Sequence, residues 1–460
     1  GRWGEPLMKL KVVGAREKRY DGLAHVTGET RFVDDLHIPG TLMVKVLRSP
    51  AVKGTLRRID TSEARRLPGV AAVITHEDVP NNAFGLVPDQ PVLAQSIRFK
   101  GQPIAAVAAV DERTALRALD RIAVEIDEEE PVFDPLEAMK PDAPLVRPEG
   151  NCFLFDGRPF RRVVLGDVEA GFAAADCIVE GSYRTSSVEH APLETQVSLA
   201  VPGDGGRLTI HTVSQSLVFH RAMLARILEM DENDLGVAGW AGRTRSGWQG
   251  KPQIDFRSGT VGGGFGGKND IHADHVTALL ALKTGRPVKW RWTREEEMLY
   301  STHRGVWQIS IRDGVLKSGR IVARQVESIR DAGAYSALNT YVVEKHAFNV
   351  SGPYFIPNIL AEGYCVYTNR PPASSMRGFG VTPGTFAVEM QMNKIAAQLG
   401  MDPWKLRFLN AFRNGEPTAT RRVLDSVYLI ETMQACARKA GVELPPDLLA
   451  MSSNTPRGEK

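Results

Sequence analysis

The stretch Thr260-Val261-Gly262-Gly263-Gly264-Phe265-Gly266-Gly267-Lys268 leaves one backbone segment almost bare of side chains. Glycine reaches dihedral angles closed to other residues, and a bare backbone can bring its N–H groups close to a large, electron-rich ligand. A short β-prone piece, Ile254 to Phe256, precedes the run, and helical spacing from about Ile271 to Lys283 follows it. Glycine turns that lead into a helix N-terminus suit an oxyanion or a phosphate. A tight turn with no ligand is the plain alternative. Gly262, Gly264 and Gly267 also satisfy G-x-G-x-x-G, but a dinucleotide site needs an acidic residue about 20 positions on. There the chain reads Pro287-Val288-Lys289-Trp290-Arg291-Trp292, basic and aromatic. A nucleotide P-loop fits no better, because Asn269 follows Lys268 where Ser or Thr is required.

Other residues carry usable chemistry. Gln215 follows the strand-like run Arg207 to Val213. Its neutral amide can donate to an oxo group without adding charge, or it is an ordinary strand-end glutamine. Arg377, beside Gly378, suits close approach of a cationic fork to an anion; a structural carboxylate is the competing partner. Phe379 offers an aromatic wall for a flat ligand, or plain core packing. His190, beside Glu189 and an apolar stretch, reads as structural before it reads as a ligand.

The elements that must position these residues form an α+β pattern. Strand-like runs at 41–47, 70–74 and 103–110, a helix at 112–122 and a short strand at 123–126 group residues 1–140 into one α/β unit. Glu128 to Glu130 reads as a solvated acidic turn. Pro135, Pro141, Pro144 and Pro148 mark a linker. A second unit runs over 151–460, mixing strands such as 207–213 with helices at 222–228, 388–399 and 424–440. Met390, Met392 and Leu399 at helical spacing read as core. Gly236 to Gly250, rich in Gly, Arg and Trp, lacks periodicity and reads as an exposed insertion or a partner-docking loop.

Composition narrows the function. At 460 residues the chain is long enough for two or more domains, and 43% apolar content supports a core. The net charge of +3, without a long basic block, gives no support to nucleic-acid or membrane-surface binding. No apolar run reaches the ~18 residues of a transmembrane helix, and the N-terminus lacks the apolar core of a signal peptide. Cys152, Cys177, Cys365 and Cys436 are scattered, which argues against a disulfide framework, a zinc site or an iron–sulfur cluster on this chain and suits a reducing cytoplasm.

Taken in order, several segments resemble the xanthine dehydrogenase and aldehyde oxidase family of molybdenum hydroxylases. They are Val188 to Thr195, Thr212 to Ser216, the loop Gly262 to Lys268, and Glu344 to Phe348 followed by Gly352 to Asn358. Thr368 to Gly380 and Gly400 to Arg407 complete the set. The resemblance covers nearly the whole chain. It implies an N-terminal α/β hammerhead domain followed by the first molybdopterin-binding domain. It implies molybdopterin, in its plain or cytosine dinucleotide form, carrying molybdenum held by the pterin rather than by protein ligands. Gly264, Phe265, Gly266, Gly267, Arg377 and Gly378 would contact the cofactor, and Gln215 would point at the metal's oxo ligand.

The same resemblance places Gln215, Lys345, Phe379 and Asn269 around the reacting centre, with two departures. Asn269 stands where xanthine oxidases carry a glutamate, and Lys345 where they carry a substrate-orienting arginine. Lysine keeps the charge and loses the bidentate fork. A carboxylated heteroaromatic such as nicotinate becomes an expected substrate, and a purine stays open. The family's catalytic base is a glutamate of the second molybdopterin domain, beyond this chain. The expectation is therefore the larger of two molybdopterin subunits of a cytoplasmic hydroxylase. Its partners would be a second molybdopterin subunit, a 2Fe-2S subunit and an FAD subunit. The alternatives are an aldehyde oxidoreductase subunit of the same family, or a non-catalytic cofactor-carrying assembly subunit.

Overall fold

The computed structural model describes residues 12, 15–204, 207–230 and 253–455. The Gly236–Gly250 segment lies outside the described residues.

A seven-stranded sheet holds strands from both sides of the proline-rich stretch. Its order is Gln253–Ser258, Arg207–Thr212, Val197–Pro202, Val288–Arg291, Leu42–Arg48, Pro103–Ala109 and Val70–Thr75. The first two strands pair in parallel, as do Val288–Arg291 and Leu42–Arg48, and the other pairs are antiparallel. The expected break over Pro135 to Pro148 therefore divides the sequence but not this sheet. Leu42, Val44, Leu208, Ile210, Val288 and Trp290 from the strands join Leu224 and Leu280 from two helices in one core. A small sheet of Ser96–Ile97, Gly54–Asp60 and Ala123–Glu128 flanks it.

A second, five-stranded sheet runs Arg161–Leu165, Ile359–Tyr367, Ile321–Gly333, Trp307–Val315, Cys177–Thr185. None of its strands is among those expected from the sequence, although Trp307-Gln308-Ile309-Ser310-Ile311 alternates with the period of a half-buried strand. Its parallel pair, Ile321–Gly333 with Ile359–Tyr367, is joined through the helix Asn339–Phe348, the crossover a parallel pair requires. That helix and the helix Val381–Leu399 pack on the sheet.

Most expected elements lie within a few residues of their predicted positions. Helix 112–119 starts behind Asp111, whose side chain accepts from the Thr114 N–H. Four boundaries differ. The helix expected at 222–228 spans Leu217–Ile227. The helix after the glycine run begins only at Asp274, so the glycine loop is not that helix's N-terminus. The helix expected at 388–399 begins at Val381, because Gly380 in the left-handed region (φ 90°) and Pro383 in the first turn set an earlier start. The helix expected at 424–440 covers Leu429–Lys439. Met392 is fully buried as expected, but Met390 is half-exposed. Among the described residues no helix is long and apolar enough to cross a membrane. The four cysteines are free, with Cys365 buried and Cys436 exposed.

Candidate functional site

The two parallel strands at the sheet edge run in register, from Arg207↔Gln253 to Thr212↔Ser258, so both deliver their next residues to the same end. In sheets of this kind ligands gather outside the carboxyl ends of parallel strands. Gln215 follows the first strand and the glycine loop follows the second. The Gln215 N–H donates to the Lys268 carbonyl (2.8 Å), and Gln215 Oε1 accepts from the N–H groups of Gly266 (2.8 Å) and Lys268 (3.3 Å). A backbone N–H can only donate, so these bonds fix which end of the amide is oxygen. The Nε2 group is the exposed end and has no partner among the described residues.

At Gly264, Gly266 and Gly267 a neighbour leaves no room for a side chain. A Cβ on Gly264 would stand 2.4 Å from Gln215 Oε1, and one on Gly266 2.8 Å from the Met376 Cα and the Ser375 carbonyl. On Gly267 it would stand 2.8 Å from the His190 ring. Phe265 is held at φ 51° with its ring half-exposed, a strained conformation that non-glycine residues seldom keep without a purpose. The consecutive N–H groups of Gly263, Gly264 and Phe265 make no hydrogen bond to the described residues.

Behind the loop the polar groups are tied down. The buried Lys268 ammonium donates to Glu194 Oε2 (2.7 Å), which also accepts from the Gly262 N–H (2.7 Å). Burial pulls the lysine below its ordinary range against the pull of Glu194. Gln196 Nε2 donates to the Gly267 carbonyl (3.1 Å), and the buried Glu297 accepts from the Gln196 N–H (2.8 Å). Burial raises the Glu297 carboxyl above its ordinary range. His190 Nε2 donates to the Ser375 carbonyl (2.8 Å), so the histidine joins the two loops as a structural group. Glu189 sits beside it. Burial pushes this carboxyl up, but the His190 ring 3.6 Å away and bonds from the Ala191 N–H and Ser301 prevail and hold it below its ordinary range.

The second loop locks against the first. The Arg377 N–H donates to the Phe265 carbonyl (2.9 Å). Asn269 Nδ2 donates to the Gly266 carbonyl (3.2 Å) and to Ser375 Oγ (3.1 Å). Both its amide protons are thus committed to the loops, which leaves only Oδ1 to face a ligand. The Arg377 backbone carbonyl accepts from Arg304 (2.6 Å) and Thr382 (3.1 Å). Its guanidinium is exposed and pairs with no carboxylate among the described residues, so the structural-carboxylate alternative is not what is seen. Gly378, Phe379 and Gly380 follow at φ 96°, 50° and 90°.

Phe379 packs on the edge of the five-stranded sheet's core. The exposed Lys345 ammonium lies 5.6 Å from its ring centre, a cation–π contact. The next residue, His346, fixes this corner. Its ring stacks on Trp307 (4.2 Å) and bonds to Gly380 O and Ser328 Oγ, each at 2.8 Å. Burial pushes His346 down to about 4, so it is neutral near pH 7.

The structure thus brings Gln215, Gly264 to Gly267, Asn269, Arg377 and Gly378 into one face, with Phe379 and Lys345 joined to it through the second loop. The face is open: Phe265 and Tyr341 are about half-exposed and Leu193 is 96% exposed. A separate cleft of about 460 Å³ on the five-stranded sheet, beside Glu180, Arg312 and Lys394, includes none of these residues. Among the described residues no three His, Cys, Asp or Glu side chains assemble as a metal site. A run of free N–H groups, one unpaired cation and one neutral donor suit an anionic, oxygen-rich ligand. Sequence reasoning missed Gln196, Glu297 and His346, and gave Glu194 and Lys268 no partner.

Residues 27–130 match the a/b hammerhead domain of aldehyde oxidase and xanthine dehydrogenase. Residues 154–239 and 250–411 match the molybdopterin cofactor-binding domain. The chain is 38% identical over 395 residues to a probable xanthine dehydrogenase subunit of Bacillus subtilis (strain 168), covering 85% of this chain and 50% of that protein. It is 33% identical to the nicotinate dehydrogenase large molybdopterin subunit of Eubacterium barkeri, over 94% of this chain and 96% of that one. It superposes on the aldehyde oxidoreductase from Desulfovibrio gigas with a TM-score of 0.83 at 28% identity, covering 92% of this chain and 46% of that one. For the quinoline 2-oxidoreductase from Pseudomonas putida 86 the TM-score is 0.80 at 27% identity, covering 92% and 53%. The chain thus spans about half the length of the Bacillus relative and of both solved proteins, and nearly all of the Eubacterium subunit.

Proposed function

Since the chain belongs to the molybdopterin-binding aldehyde oxidase and xanthine dehydrogenase family, we propose that it serves as the large molybdopterin subunit of a molybdenum hydroxylase for N-heteroaromatic substrates. One observation carries this reading. The Gln215 amide is held by its oxygen, which leaves its N–H₂ end without a partner among the described residues, as are the N–H groups of Gly263 to Phe265 and the Arg377 guanidinium. Those groups fit an anionic, oxygen-rich cofactor, plain or as the cytosine dinucleotide. When bound, the molybdenum centre supplies water-derived oxygen to an electron-poor carbon and takes up two electrons.

The chain's own residues then have distinct tasks. The N–H groups of Gly263, Gly264 and Phe265 bind the cofactor's negative oxygens, and Arg377 balances its charge. Gln215 Nε2 donates a neutral hydrogen bond beside the metal. Phe379 stacks on the flat substrate, and Lys345 attracts a ring carboxylate such as that of nicotinate. Asn269 holds the loops together and leaves no like charge to repel that carboxylate. The open apolar rim of Leu193, Phe265 and Tyr341 suits cover by a second molybdopterin subunit, which would bring the base. Iron–sulfur and flavin subunits would carry the electrons onward, and the free thiols fit a reducing cytoplasm.

The test is elemental analysis of the native complex purified through this chain, followed by turnover with nicotinate, purines and aldehydes. Molybdenum near one per chain, with iron, extra subunits and nicotinate turnover, is the expected result. Aldehyde turnover alone would move the substrate class to that of the Desulfovibrio gigas protein. An intact complex without molybdenum would overturn the reading.

A further inference from the structure

Away from the loops, a narrow, partly open cavity of about 40 Å³ lies between the N-terminal strands and the helix that follows the glycine loop. Arg48 and Phe84 line it from the first side, and His275, Trp290, Trp292 and Tyr300 from the other. Its volume is roughly three times what a single water needs, and far too small for an aromatic substrate. Trp290 and Trp292 are 1% and 4% exposed, and their indole N–H groups have no partner among the described residues. Two guanidinium nitrogens of Arg48, Nε and Nη2, are also buried without a hydrogen bond.

Arg48 is held firmly in place. Its Nη1 donates to the Gly101 carbonyl (3.2 Å), and its guanidinium lies over the Tyr300 ring (4.1 Å) and beside Trp292 (5.1 Å). The Glu296 carboxylate stands 3.6 Å from Nη2, an ion pair too long for a hydrogen bond. Burial lowers Arg48 to about 10, which still leaves it fully charged at neutral pH. Burial also holds His272 near 3 and His275 near 4, so neither brings a second charge.

The chemistry of these atoms decides what the cavity holds. Indole and guanidinium nitrogens donate and cannot accept. The other unpartnered polar atom in the lining, His275 Nδ1, does either according to tautomer. A water would satisfy two donors with its lone pairs but would bring two protons that need acceptors. A small anion accepts from all of them, and Arg48 attracts it although Glu296 already stands near one side of the guanidinium.

We propose that this cavity is a binding site for one halide-sized anion, held by Arg48, Trp290 and Trp292. Bound there, the anion ties the N-terminal segment to the segment leaving the glycine loop, since Ile271 and His272 also line the cavity. Removing one charged donor weakens such a site roughly tenfold or more.

The test uses the native complex exchanged into sodium gluconate and then titrated with sodium bromide at constant ionic strength. The expected result is a saturable rise in the melting midpoint and a bromine anomalous peak among Arg48, Trp290 and Trp292 in bromide-soaked crystals. Trp292→Phe keeps the ring and removes one N–H, so it should shift the bromide midpoint to higher concentration while the protein still folds. Arg48→Met should abolish both signals. Ordered water without an anomalous peak at saturating bromide would overturn the proposal. So would a bromide response unchanged in Trp292→Phe.

Discussion

The glycine loop has a front and a back, and they are built on opposite principles. At the front, Gln215 Nε2, the Arg377 guanidinium and three consecutive N–H groups have no partner among the described residues. At the back, Glu194, Lys268, Gln196, Glu297 and His190 are bound to the loop or to one another. The difference shows how a loop of glycines can present unpaired donors at all. Unmade hydrogen bonds and left-handed residues such as Phe265 cost free energy. Only a framework that over-determines the backbone keeps the loop from relaxing to satisfy itself. Substitutions at the back should therefore cost stability first, and substitutions at the front should cost function first.

The sharpest way to break that contrast is Lys268→Met. It strands the Glu194 carboxylate in a nearly buried site, a loss of about 3–5 kcal/mol for a broken buried pair. Urea unfolding should show it, and the cofactor content of the complex should fall with it. Arg377→Ala at the front should move the unfolding midpoint by no more than about 0.5 kcal/mol. Equal stability losses from the two substitutions would dissolve the distinction between front and back.

Gln215→Glu sharpens the same comparison within one side chain. The carboxylate still accepts from the Gly266 and Lys268 N–H groups, so the fold should persist. The donor end disappears, and a preorganised donor at a reacting centre is worth roughly 10²–10³ in turnover. A Gln215→Glu enzyme with full turnover would remove Gln215 from the site.

Histidine titration probes the buried supports of the second loop. Burial holds near 4 both His346 and His303, whose backbone carbonyl accepts from the Ser374 N–H (2.8 Å), against about 6.5 in an unfolded chain. Between those values the unfolded chain binds more protons, so stability rises with pH through the window and is lost as pH falls from 6.5 toward 4. Each such group contributes roughly 3 kcal/mol of that loss. His346→Asn should be less stable at pH 7 yet lose less on going to pH 5. A parallel fall in both proteins would mean His346 is protonated in the fold.

A smaller effect tests whether the loop's glycines answer to Gln215. Gly264→Ala would place its Cβ 2.4 Å from Gln215 Oε1 and should cost about 1–3 kcal/mol. In a Gln215→Ala background that obstacle is gone, so the cost should shrink by more than the ~0.5 kcal/mol of ordinary additivity error.

The front of this site was legible in the sequence and the back was not. The glycine run, Gln215 and Arg377 are local signals, a run of one residue type or a polar group at a strand end. The strands 207–212 and 253–258 stood out by composition, and their parallel pairing is what brings Gln215 to the loop. The back is built from pairs far apart in the chain. Glu194 meets Lys268 across 74 residues and Gln196 meets Glu297 across 101. No window of sequence holds both partners, and a buried carboxylate reads locally like a solvated one. The five-stranded sheet was missed for another reason. Its alternating strands are visible, but only the crossover helix Asn339–Phe348 shows that two of them lie side by side. Asn269 shows the limit of reading by type: its amide protons hold the loops, a role that composition cannot distinguish from substrate contact.

Lys345 sets the finest test of the front, because two roles predict different substrate dependence. Its ammonium lies over the Phe379 ring, a contact worth about 0.5–1 kcal/mol at an exposed site. If the cation attracts a substrate carboxylate, Lys345→Ala should raise KM for nicotinate by up to about fivefold, the ratio that an exposed ion pair of about 1 kcal/mol represents. KM for an uncharged heteroaromatic of the same ring size should stay unchanged, and Lys345→Arg should restore the nicotinate value by keeping the charge. If the ammonium only steadies the Phe379 ring, Lys345→Ala should raise KM for both substrates alike, because the aromatic wall serves any flat ring. Steady-state kinetics on the two substrates separates these outcomes, with stability measured alongside to confirm that the exposed substitution leaves the fold intact.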